Sequence, residues 1–138
     1  MSTVMTRIEG LDALVSSRLG GLPTQMQPVP GEVPVIQIVV ESYESLPIYL
    51  TFSEAQCLCI CYLWTESEVD AEQRVALMEA MLDLNISVPL SSFGRIGEHY
   101  VLFGSLARDS RINDIANDVV ALLDNAVDAL DTMSSYLN

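Results

Sequence analysis

The chain has 138 residues and a mass of 15.1 kDa, half of its residues are apolar, and its mean hydropathy is +0.33. Acids number 19 and bases 6, every base is arginine, and the net charge is −13. Polyphosphate and anionic lipid are therefore poor partners, and no run reaches the ~18 apolar residues that a membrane span needs.

These numbers predict a single domain over residues 1–138, which the order of its predicted elements makes α+β. Surface scaling allows a monomer of this mass roughly 7,000 Å² of accessible area. So apolar a chain on so small a body favours a homodimer or a protein partner. The competing reading is a dense monomeric core. The charge would steer a basic partner or serve only to keep the domain dispersed.

The first predicted helix runs from about Thr6 to Leu19. Thr6 and Glu9 make a capping box, Ile8, Leu11, Val15 and Leu19 recur at helical spacing, and Gly20 and Gly21 end it. Residues 22–34, with Pro23, Pro28, Pro30 and Pro34, read as a stiff non-helical connector. Strand-like alternation follows over Val35–Tyr43 and Ile48–Ser53. A third strand, Gln56–Trp64, is apolar on both sides, with Leu58, Ile60, Tyr62 and Trp64 opposing the cysteines. Such a strand is central, or a partner covers one of its faces.

Asp70 caps a second helix, with the stripe Val75, Met78, Met81 and Leu82, that ends near Asn85. Ser92–Ile96 and Glu98–Ala107 form a hairpin around Gly97. The last helix, Ile112–Tyr136, carries two adjacent apolar seams, one through Leu122 and one through Leu123. Either one seam docks on the sheet and the other serves association, or both make one wide buried stripe.

Little in the sequence carries chemistry. His99 is the single histidine. Cys57, Cys59 and Cys61 alternate along one strand, which splays them as metal ligands and disfavours disulfides among them. Three free thiols and an N-terminus without a continuous apolar leader core predict a cytoplasmic protein. Glu66, Glu68, Asp70 and Glu72 lack the spacing of a calcium loop and suit helix capping better. No phosphate loop and no nucleophile elbow is present. The expectation is a protein with no catalytic residues, no cofactor and no metal.

The stronger lead is aromatic and apolar surface. Tyr49, Tyr62, Trp64, Phe93 and Tyr100, with Leu122 and Leu123 on the last helix, are the candidate protein-interaction residues.

The predicted element order is α-β-β-β-α-β-β-α, an antiparallel sheet with helices. It resembles the type III secretion chaperone-like fold, which YbjN-type bacterial proteins share. A closer likeness is to the YjfI-like family of uncharacterised bacterial proteins. It rests on LPIYLTFSEAQCLCICYLW (Leu46–Trp64), MLDLN (Met81–Asn85), VPLSSFGRIGEHYVLFGSLA (Val88–Ala107), and the LLDNAVDAL core and SSYL tail of the last helix. The resemblance implies a dimer that binds extended segments of a client protein without nucleotide, and it supplies no catalytic residues. It also implies a link with phage-shock-type membrane-stress proteins.

The leading expectation is thus a non-enzymatic, chaperone-like or adaptor module with a protein partner, basic or coiled-coil, and no nucleic acid. A regulatory partner of a membrane-stress protein is the second reading. An enzyme with an unrecognised acidic site is the third.

Overall fold

A computed structural model describes residues 2–138, with side chains from residue 5 onward. Its elements are α1 (Ser2–Arg7), α2 (Leu11–Arg18), β1 (Thr24–Val29), β2 (Val35–Val40), β3 (Ile48–Phe52), β4 (Cys57–Thr65), α3 (Arg74–Leu84), β5 (Ser92–Ile96), β6 (His99–Leu106) and α4 (Ile112–Thr132). The strands form a six-stranded antiparallel sheet in the order β1-β2-β3-β4-β6-β5. The α+β class and the antiparallel sheet match the sequence expectation.

Two predicted elements differ. The single N-terminal helix is two, because Gly10 sits at φ +87° in the left-handed region and interrupts the helical run. The proline-rich connector is in part a strand. Residues 24–29 pair with β2 from Thr24↔Val40 to Val29↔Val35. Pro28 lacks a donor, and an edge strand tolerates that because half of its backbone groups point away from the sheet.

One sheet face builds the core. Ile36, Ile38, Ile48, Leu50, Cys59 and Leu102 are fully buried on it. Against them lie Leu11 and Val15 of α2, and Ile115, Val119, Leu122 and Leu123 of α4. Leu122 and Leu123 are 0% and 1% exposed, so the two seams of the last helix merge into one buried stripe there, while Val127, farther along the Leu123 seam, is 40% exposed. The helix ends at Thr132, and a short 3₁₀ turn continues over Ser134–Tyr136.

A bulge in β4 between Tyr62 and Trp64 breaks the strict alternation. It moves Trp64 onto the cysteine face, where it is 3% exposed beside Tyr100. Period-two reasoning placed Trp64 beside Tyr62. The extra residue of a bulge reverses the facing of everything beyond it.

Candidate functional site

Among the described residues no helix packs on the opposite face of the sheet. Alternation along the strands puts Gln25, Gln27, Gln37, Val39, Tyr49 and Thr51 there from β1–β3. The register adds Leu58, Ile60 and Tyr62 from β4, Val101 and Phe103 from β6, and Gly94 from β5. None of these residues is charged, although the chain carries −13. A bare face without charge on so acidic a chain is the candidate functional site.

The face has two halves. Over β1–β3 it is polar: Gln27 Nε2 donates to Gln37 Oε1 at 2.7 Å, and Gln37 Nε2 donates to the Tyr49 hydroxyl at 3.1 Å. An aromatic row then leads across the sheet. Tyr49 meets Tyr62 edge-on with centroids 5.7 Å apart, and Tyr62 meets His99 at 5.4 Å. Such edge contacts fix the rings without covering them. The other half is an apolar groove of about 230 Å³, floored by Leu58, Ile60, Val101 and Phe103 and rimmed by Arg95 and Ile96. Gly94 keeps it open, since a Cβ there would come 2.9 Å from the Phe103 ring.

A second exposed apolar area lies at the α3–β5 corner. Val75, Leu82, Ile86 and Leu90 project from α3 and the loop after it. Next to them is a groove of about 230 Å³ lined by Met78, Met81, Phe93 and Tyr100. A carboxylate fixes this corner. Glu66 receives Arg74 at 3.1 Å from both Nε and Nη2, Arg95 at 3.0 Å, and the Tyr100 hydroxyl at 2.7 Å. The Arg74 bonds, followed by that of Tyr100, hold the Glu66 pKa down to about 2. The Arg95 guanidinium also lies 5.5 Å from the Tyr100 ring centroid.

The acidic run before α3 is used locally. Glu68 Oε1 accepts from the Thr65 N–H, and Asp70 Oδ1 accepts from the Glu72 N–H. Asp70 caps a 3₁₀ turn over Ala71–Gln73 rather than α3 itself. Among the described residues no group of three or more His, Cys, Asp or Glu side chains is placed to hold a metal ion. The three cysteines are free and buried. Burial raises the Cys61 pKa to about 12, and Cys59 is pushed well up by its bond to Cys57 and by burial. Ser91 faces an amide, receiving Asn125 Nδ2 at 3.1 Å. Among the described residues no helix is long and apolar enough to cross a membrane.

The seven candidate interaction residues divide by place. Tyr49 and Tyr62 lie on the outer face, and Tyr62 is 39% exposed. Trp64, Phe93, Tyr100, Leu122 and Leu123 are buried within the single chain, where they fill the space between sheet and helices. Phe93 and Tyr100 reach the surface only as the floor of the α3–β5 groove. Sequence reasoning missed Gly94, Val101 and Phe103. Their signal is the alternation of β6, Tyr100-Leu102-Gly104 against Val101-Phe103-Ser105. It also missed Asp118, which is 3% exposed. That residue falls three after Ile115 and four before Leu122, on the core stripe.

Comparison with known proteins agrees with this architecture. The chain is 26% identical over 129 residues to the uncharacterized protein YjfI of Escherichia coli strain K12, covering 88% of this chain and 93% of that protein. Three solved structures share the fold. One is the Yersinia pestis type III secretion chaperone SycH in complex with a stable fragment of YscM2, with TM-score 0.54, 16% identity, and coverage of 86% and 96%. Another is the ExsC-ExsE complex, with TM-score 0.57, 14% identity, and coverage of 90% and 93%. The third is the ExoU-SpcU heterodimer of the Pseudomonas aeruginosa type III secretion system, with TM-score 0.51, 15% identity, and coverage of 87% and 94%. At these identities the likeness establishes the type III secretion chaperone-like fold. Over residues 8–137 the chain matches DUF2170, a family described as uncharacterized protein conserved in bacteria, and it belongs to that family.

Proposed function

We propose that this chain is a non-enzymatic protein-binding module of the chaperone or adaptor kind, acting in the cytoplasm as a homodimer. One observation carries the reading: the uncharged outer face of the sheet, with its apolar groove over β4, β6 and β5, is left bare. Burying apolar area at about 25 cal/mol per Å² is the ordinary source of association energy. Surfaces of this kind are rare on a protein that works alone. The fold supports the reading, because the SycH chaperone is described in complex with a fragment of another protein.

The reading is tested by a photo-crosslinking amino acid at Tyr62, with a control at Asp124 on the exposed side of α4. The expected result is one or a few discrete protein adducts from position 62, absent from position 124. The adducts should be lost when Ile60→Asp is added to a chain whose circular dichroism is unchanged. Equal labelling from both positions, or none from position 62, would sink the reading.

A further inference from the structure

The outer face is built for a particular shape of partner. Its groove lies across the faces of three adjacent strands rather than along the backbone of an edge. Strands lie about 4.8 Å apart, so three of them span about 10 Å, the diameter of an α-helix with its side chains. The other side of the same sheet already takes helices in this way, through α2 and α4. An extended chain instead draws its affinity from unpaired backbone groups at a sheet edge. The edge beside the groove is β5, and there the Phe93 N–H already donates to Asn85 Oδ1 at 2.6 Å.

Charge defines the rest. The groove floor of Leu58, Ile60, Val101 and Phe103 is apolar. The turns at the two ends of the groove strands bring up exposed carboxylates, Glu54 before β4 and Glu98 between β5 and β6. The one cation on the rim, Arg95, is paired to Glu66 at 3.0 Å. A basic occupant therefore finds an acid at either end of an uncharged floor. A second copy of this chain would set the same acidic turns against one another.

Resting on the protein-binding reading above, we propose that the outer face receives an amphipathic helix of a partner protein, with an apolar stripe laid on β4, β6 and β5 and basic residues on its flanks. The third layer missing from this two-layer domain is then supplied by the partner.

The test uses the whole chain and three synthetic peptides of one length. The first is a helix with a leucine stripe and arginine flanks. The second has glutamate flanks, and the third has the first one's composition broken by two prolines. The arginine-flanked helix should bind at least ten-fold tighter than either twin and shift the methyl resonances of Leu58, Ile60 and Val101. The exposed double variant Glu54→Lys, Glu98→Lys should weaken that peptide at least three-fold and strengthen the glutamate-flanked twin. Tyr62→Asp should weaken both, with an unchanged circular dichroism spectrum. Equal binding of the proline-broken peptide, indifference to flank charge, shifts confined to α3, or no binding would each overturn the helix proposal. Crosslinks from position 62 alongside such a failure would leave the protein-binding reading standing. Failure of both would remove both.

Discussion

Asp118 and Gly104 are a matched pair. Asp118 lies on α4 facing the sheet, is 3% exposed, and its Oδ2 accepts no hydrogen bond among the described residues. Gly104 on β6 makes room for it, since a Cβ there would overlap the carboxylate. Gly104→Ala should therefore destabilise the fold by about 1–3 kcal/mol, the usual cost of overpacking. The same change in an Asp118→Ala background should cost less than half as much, a coupling that urea melts of the four chains would measure. If the two costs simply add, the pair does not interact. Desolvation raises the Asp118 pKa above its ordinary 3.8, with the Cys59 bond acting the other way. The native state then binds the proton more tightly than the unfolded chain. Its stability contribution is full below the unfolded pKa and is lost as pH rises through the folded one. Asp118→Asn should accordingly gain about 1 kcal/mol at pH 7, and the gain should shrink as pH falls towards 3.8.

At the scale of elements, α4 decides how the sheet is covered. Its buried positions include Ile115, Val119, Leu122, Leu123 and Ala126, so a single broad stripe meets β4, β6 and α2. Leu122→Asp and Leu123→Asp should both unfold the chain. Each places a carboxylate in the core at a cost of several kcal/mol, against a total stability of about 5–15 kcal/mol for such a domain. Circular dichroism melts check this, and a folded but altered Leu123→Asp would restore the two-seam arrangement. Much of this was legible in the sequence, because helical and strand periods survive wherever one face is buried. What escaped has physical causes. Four prolines hid β1, since only an edge position lets Pro28 stand in a strand. Gly10 split a periodic helix without changing its apolar spacing. The bulge after Tyr62 left no mark on composition, yet it sent Trp64 to the core. The doubly apolar character of Cys57–Trp64 was legible, and the cysteine side is the buried one. Which side stays bare depends on where α2 and α4 dock, a long-range choice that local pattern does not encode.

For the whole molecule, the proposed homodimer needs a surface of its own on an acidic chain. The surface at α3 and β5 has the shape for it. Val75 and Leu82 are each 68% exposed, Ile86 90% and Leu90 64%. Immediately beside these knobs is the groove of Met78, Met81, Phe93 and Tyr100. A two-fold interface is isologous, so the same patch must offer both knob and hole, and this corner does. It also holds two of the six bases, Arg74 and Arg95, both paired with Glu66, which lowers the like-charge repulsion felt elsewhere. We therefore expect a homodimer at micromolar concentration, joined through α3. Leu82→Asp and Ile86→Asp should each yield a 15.1 kDa species by light scattering. Both side chains are exposed in the monomer, so intrinsic monomer stability should change by no more than about 0.5 kcal/mol. The melting temperature of the unaltered chain should rise with protein concentration, as linkage to assembly requires, and that dependence should vanish in the two variants. Salt should strengthen the dimer by screening the net −13 on each copy. Tyr62→Asp, on the far side of the sheet, should leave the dimer intact. A native chain that scatters only as monomer would remove the dimer, whereas a dimer that survives Leu82→Asp but not Tyr62→Asp would place the contact on the outer face and leave no room there for a partner helix.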